Sequence, residues 1–243
     1  MPISTKKMAK CFWNPETHWP DPWVLSAALA QATTSLHFLS TIYILPLREP
    51  LSVAKSLSTA AYLSGDRVIL GAGVGWQKAE FEMVGQDFHT RGKRVDEMLD
   101  ILPGLMSGEM TEFSGKYYQV PPVQMSPGTS KPVPIMIGGY SDAAMRRACR
   151  FDGWMAITHE EQEIYPLLDR LNQCRKDKGA LDKPFDIWTG VKNPEDGTHE
   201  RLAEAGVTMC NGTNFLSEDG RASLSSIDEK KRRIEDFAKR FIP

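Results

Sequence analysis

Residues 67–76 read RVILGAGVGW, a short apolar strand that ends on glycines at three alternate positions, Gly71, Gly73 and Gly75. Aliphatic residues without polar alternation suit a strand covered on both faces. The glycines lead into a helical stretch, Trp76–Val84, and tempt a dinucleotide-binding reading. That fingerprint is G-x-G-x-x-G, and its third glycine falls on Trp76, so the match fails. What remains is a strand end with a bare backbone. It admits either a flat ligand or a closely packed neighbour.

Outward from this stretch the chain alternates between short apolar strands and helices. Strands are predicted over 36–45 (LHFLSTIYIL), 67–73, 133–137, 153–157, 185–189 and 207–210. Helices are predicted over 23–34, 51–63, 76–84, 90–106, 141–150, 161–178, 199–205 and 227–241. The first opens on Asp21-Pro22, a cap followed by a residue suited to the first turn. Residues 107–131 hold Gly108, Gly115, Pro121, Pro122, Pro127 and Gly128 with no sustained period, and read as an irregular insertion in a single domain, 1–243. Strands alternating with helices predict an α/β fold with a parallel sheet. Six strands fit either a doubly wound sheet or a TIM-type (β/α) barrel two strands short of eight.

Composition narrows the function classes. The chain has 243 residues, 41% hydrophobic and 25% charged, with a formal net charge of -2. No overall basic field exists to attract nucleic acid or an acidic membrane surface. Apolar runs stop well short of the roughly 20 residues that span a bilayer. Met1–Lys7 carries charge with no apolar core after it, so a signal peptide is not expected and the location is read as cytoplasmic. The four cysteines form no C-x-x-C pair and the five histidines are dispersed, so no metal site is expected.

A second segment, 132–142, reads PVPIMIGGYSD. A strand runs into Gly138-Gly139, and Ser141 stands where a helix cap belongs. Free amides at that helix start suit a phosphate, although an ordinary strand-to-helix turn has the same residues. Arg91 and Arg94 share a helical face and are candidate anion ligands.

Three segments together resemble the bacterial luciferase-like flavin monooxygenases and their deazaflavin (coenzyme F420) dependent relatives: residues 20–76, residues 79–99 (AEFEMVGQDFHTRGKRVDEML), and residues 132–155. The resemblance implies a TIM-type barrel with FMN or F420 at the C-terminal ends of the strands and a small organic substrate. It places the cofactor phosphate at Gly138, Gly139, Tyr140 and Ser141. Gly73, Val74 and Gly75 match the strand end beside the ring or its side chain. Thr41 and Ile42 match a strand end that often bulges under the ring, sometimes with a non-proline cis peptide. Arg94 matches a basic position near the phosphate in some relatives. No catalytic residue is assigned.

The chain departs from that pattern at its start. A full member has a strand, a helix and a second strand before the Asp-Pro helix, whereas residues 1–18 show no strand pair. The first two barrel strands are therefore expected to be missing, and only Asn14, Glu16 and His18 stand in for ring-facing residues. Two readings follow: an oxidoreductase of the luciferase-like monooxygenase type, or a shortened, inactive flavin-binding or fragmentary member. Open sheet edges predict a homodimer or higher oligomer, with the helices between Leu51 and Met106 as the interface.

Overall fold

The computed structural model describes residues 19–212 and 226–241. The expectations for residues 1–18, including Asn14, Glu16 and His18, lie outside the described residues. In chain order the elements are α1 (Pro22–Gln31), β1 (Phe38–Leu39), β2 (Tyr43–Ile44), a 3-10 turn (Leu45–Leu47), α2 (Pro50–Ser64), β3 (Val68–Gly73), α3 (Lys78–Met83) and α4 (Arg91–Ser107). They continue with β4 (Thr111–Ser114), β5 (Gln119–Val123), β6 (Ile135–Gly138), α5 (Asp142–Ala148), β7 (Gly153–His159), α6 (Glu161–Asp177), β8 (Asp186–Val191), α7 (Thr198–Glu204), β9 (Met209–Cys210) and α8 (Ile227–Phe241).

The main sheet is parallel throughout, in the order β1-β3-β6-β7-β8-β9, with β2 also pairing β3. Strand order follows chain order and never reverses at a central crevice. That is the topology of a barrel opened along one seam, not of a doubly wound sheet. All six predicted strands form. The stretch 36–45 differs in being split: Thr41 and Ile42 leave the ladder between β1 and β2, while the Ser40 amide still donates to the Ile69 carbonyl, and the Thr41–Ile42 peptide is cis.

Alternation along the strands separates two faces. Leu70, Ala72, Ile135, Ile137, Trp154 and Ile187 point to the helices and join one core with Leu57, Leu99, Leu102, Met145 and Leu168. Gly71, Met136 and Met155 lie on the opposite, concave face. A Cβ on Gly71 would stand 2.8 Å from Met155 Sδ. Arg67 fixes how α1 joins the sheet: its guanidinium donates to the carbonyls of Ala30, Thr33 and Leu36 and lies over the Phe38 ring. Carbonyls left open at the end of α1 thereby find donors.

Residues 107–131 are more ordered than the irregular insertion expected. β4 and β5 form an antiparallel hairpin with a register shift between Thr111 and Phe113. Glu97 of α4 holds its tip, accepting from the amides of Lys116, Tyr117 and Tyr118 at 2.8, 2.8 and 3.0 Å. Gly115 is required there, because a Cβ would fall 2.4 Å from the Glu97 carboxylate.

At the C-terminal end of β7, Glu161 ties α6 to α7. Its carboxylate accepts from Arg201 Nε and an Arg201 terminal nitrogen at 2.7 and 2.8 Å, from Thr198 Oγ1 at 2.8 Å and from the Tyr165 hydroxyl at 2.8 Å. The Arg201 bonds, followed by those from Thr198 and Tyr165, hold the carboxyl at about 2, below its usual 4.5. A carboxyl depressed on folding stabilises the fold above its unfolded value and loses that contribution as pH falls through the folded one. Glu161→Gln is therefore expected to flatten the loss of stability between about pH 4.5 and pH 2. Urea unfolding at stepped pH measures this, and parallel curves for parent and variant across that window would contradict it.

Candidate functional site

Because every main-sheet strand runs the same way, Ile44, Gly73, Gly138 and His159 end at one rim. The sequence-derived residues Thr41, Ile42, Gly73, Gly138, Gly139, Tyr140 and Ser141 converge there. Ile42 is the centre of the arrangement. A Cβ on Gly73 would come within 2.6 Å of Ile42 Cγ2, and one on Gly138 within 2.0 Å of Ile42 Cδ1. The two glycines thus serve a protein side chain directly: Ile42 lies across both strand ends. Its outer surface stays open, at 39% exposure, and forms an apolar platform at the rim.

Val74 packs into the core and Gly75 turns with φ +74, its would-be Cβ 2.7 Å from Ile44 Cγ2. The Gly75 carbonyl accepts from Arg91 Nε at 3.1 Å. These two residues shape the loop beneath the platform.

The segment 138–142 leaves β6 through Gly139, whose φ of +125 is a conformation that glycine adopts readily. Its carbonyl accepts from Trp154 Nε1 at 2.8 Å. Its amide faces the Met155 carbonyl at 3.4 Å, so it is turned to the sheet. The amides of Tyr140 and Ser141 donate to no acceptor among the described residues. Ser141 Oγ accepts from the Ala144 amide at 3.2 Å as the cap of α5, which leaves its O–H proton for another acceptor. The turn at residues 139–141 therefore forms a cradle that offers two amides and a hydroxyl.

Tyr140 folds back onto β7. Its hydroxyl accepts from the Ile157 amide at 2.5 Å, and burial raises the phenol above its ordinary value. The His159 ring stands edge-on to it, centroids 5.2 Å apart, with Nδ1 3.4 Å from Glu163 and a buried Nε2 that has no partner among the described residues.

Arg94 turns its guanidinium to protein acceptors. It is 5% exposed and spends its guanidinium on the Pro46 carbonyl (2.7 Å), the Asp87 carbonyl (3.0 Å) and Thr90 Oγ1 (3.2 Å). It fastens α4 to the 3-10 turn and to the loop before it. The cation beside the cradle is Arg170 of α6, which donates to the Tyr140 carbonyl at 3.1 Å and to Asp142 at 2.8 Å. Sequence reading missed Arg170 because it is one of several charges on an amphipathic helix, and only the packing of α6 on α5 brings it to residue 140.

The rim fits a flat, partly apolar ligand with an anionic tail. Ile42 gives an apolar surface, the amides of Tyr140 and Ser141 remain able to donate, and Arg170 adds positive charge. No group of three or more metal-ligating side chains occurs among the described residues.

Comparison with known proteins follows from this geometry. The family model for luciferase-like monooxygenases matches residues 10–222. An uncharacterised protein of Mycobacterium tuberculosis H37Rv is 40% identical over 185 residues, covering 72% of this chain and 64% of that protein. An F420-dependent glucose-6-phosphate dehydrogenase of Amycolatopsis mediterranei is 27% identical over 242 residues, covering 91% of this chain and 70% of that one. Among solved structures, the oxygenating constituent of 3,6-diketocamphane monooxygenase from a Pseudomonas putida plasmid, in complex with FMN, aligns with a TM-score of 0.59. It is 20% identical, and the alignment covers 73% of this chain and 54% of that one. The chain thus spans just under two thirds of the mycobacterial relative's length.

Proposed function

Because this chain belongs to the luciferase-like monooxygenase family, we propose that it is an oxidoreductase that takes FMN or coenzyme F420 at the rim and acts on a small organic substrate. The observation that carries the reading is Ile42, seated across Gly73 and Gly138 with its outer face open. In this proposal the ring lies on Ile42 and beside Gly73, while Val74 and Gly75 shape the adjoining loop. The phosphate meets the Tyr140 and Ser141 amides and the Ser141 hydroxyl, at the turn made by Gly138 and Gly139. The cofactor supplies the hydride or oxygen chemistry, and the protein supplies position and electrostatics. Arg170 offsets the Asp142 carboxylate next to the phosphate. Ile42 excludes water from the face of the ring that rests on it.

Fluorescence titration with FMN and, separately, with F420 tests the reading. Saturable binding of one of them is expected, abolished by Gly139→Val. A β-branched residue is strained at this φ, and its Cβ would lie 3.1 Å from that of Ala144. Parent protein that binds neither cofactor would favour instead the shortened, inactive reading. Equal affinity in Gly139→Val would remove the cradle from the site.

We also read the protein as a cytoplasmic homodimer or higher oligomer. Association is supported by apolar surface on α1 and α2: Val24, Leu25, Leu29, Tyr62 and Leu63 are exposed on packed neighbours. Most apolar residues of α4, by contrast, are buried in the core. Light scattering at the monomer mass, or recovery outside the cytoplasmic fraction, would overturn this part.

A further inference from the structure

The chain's cysteines looked dispersed in sequence, yet folding brings two of them into contact. Cys149 caps the C-terminus of α5, and Cys174 lies in the next-to-last turn of α6. Their sulfur atoms are 3.3 Å apart, with the Cys149 thiol donating to Cys174 Sγ. Both are free and partly exposed. The pair is open from two sides. Cys149 lines a cavity of about 650 Å³ at the N-terminal ends of the strands, between Met106, Phe151 and Phe185. Cys174 lines a smaller cleft of about 310 Å³ between α5 and α6. Arg175 and Lys178 place positive charge beside the sulfurs.

We propose that Cys149 and Cys174 are a redox pair that a hydroperoxide converts to a disulfide joining α5 to α6. The sulfurs need to close by only about 1.3 Å to reach bonding distance. Cys149 turns its S–H toward Cys174 Sγ, and burial raises that thiol, so Cys174 is the attacking sulfur and Cys149 the resolving one. Cys174 releases its proton and its sulfur attacks the outer peroxide oxygen. The O–O bond breaks, the leaving alkoxide (hydroxide, for hydrogen peroxide) takes up the proton that Cys174 released and departs as the alcohol (water), and Cys174 becomes a sulfenic acid. Cys149 then attacks the Cys174 sulfur, its proton goes to the departing hydroxide, and a water leaves. Two thiols lose two electrons and the peroxide gains them.

The link would lie behind the proposed phosphate cradle. α5 is capped by Ser141, and Arg170 already joins α6 to Tyr140 and Asp142 at that end. A Cys149–Cys174 bond fastens the other end of the same two helices. The inference rests on the thiol geometry alone and stands whether or not a cofactor binds.

Mass spectrometry of the intact, reduced protein treated with a slight excess of hydrogen peroxide decides it. The expected product is lighter by two hydrogens. Its tryptic digest contains peptide 148–150 linked to peptide 171–175, and reduction by dithiothreitol separates them. Cys149→Ser and Cys174→Ser should each lose the link and gain oxygen at the remaining thiol. The oxidised parent should melt at a higher temperature than the reduced parent, and the serine variants should show no such rise. Two results would overturn the proposal: oxygen addition without the link in the parent, or a link from either residue to Cys11 or Cys210.

Discussion

Gly71→Ala is expected to lower unfolding stability by about 3 kcal/mol, at the upper end of what overpacking a core usually costs. The new Cβ would lie 1.8 Å from the Ser40 carbonyl oxygen and 2.8 and 2.9 Å from Met155 Sδ and Cε. Met155 has a flexible end and can retreat. The Ser40 carbonyl is backbone, held on both sides: Ser40 Oγ donates to the Gly71 carbonyl at 3.2 Å and accepts from the Gly71 amide at 3.0 Å, and the Ser40 amide donates to Ile69 at 3.3 Å. Moving it breaks the join between β1 and β3 at the edge of the sheet. Gly65→Ala is the control. Gly65 has φ +64 but nothing within 4 Å of a new Cβ, so it should show only the left-handed backbone cost, about 1 kcal/mol. Chemical denaturation of both variants measures the difference. If Gly71→Ala cost no more than Gly65→Ala, close packing would not be the reason for glycine at position 71.

The same glycines show what was legible in the sequence. Strand β3 was plain from VILGAG, because a buried parallel strand carries apolar residues without alternation. The alternate glycines signalled a close approach, yet not what approaches. Two of the approaching atoms belong to Ser40 and Ile42, thirty-one residues upstream of their glycines. No local pattern records that pairing. Read alone, LHFLSTIYIL has the composition of one unbroken strand. The split at residues 41–42 follows from the glycines across from it, and only the family resemblance had marked Thr41 and Ile42.

Other differences have similar causes. β5 was hidden because Pro121 and Pro122 argue against a strand interior, and they are tolerated in a two-stranded hairpin that has free edges. Arg94 was legible as a basic residue beside a candidate site. Its carbonyl partners, Pro46 and Asp87, come from segments whose meeting is tertiary. Cys149 and Cys174 are twenty-five positions apart on two helices, a spacing with no periodic meaning until α5 packs on α6.

Gly138→Ala is expected to weaken cofactor binding by on the order of 100-fold, about 3 kcal/mol, while leaving the protein folded. The new methyl would sit 2.0 Å from Ile42 Cδ1, the far end of a flexible side chain that has open space on its other side. Ile42 can therefore move, but only outward, into the position the ring would take. Loss of affinity is then due to Ile42 itself, not to damage at Gly139 or Ser141. A second change tests this cause. Ile42→Ala shortens the side chain, so the double variant Ile42→Ala/Gly138→Ala should recover most of the affinity lost by Gly138→Ala. The two changes would be strongly non-additive because the side chains share one space. Titration of the parent, both single variants and the double variant with the cofactor that the parent binds completes the cycle. Equal losses in Gly138→Ala with and without Ile42→Ala would show that the ring does not rest on Ile42. Affinity unchanged by Gly138→Ala would place the ring away from this rim altogether.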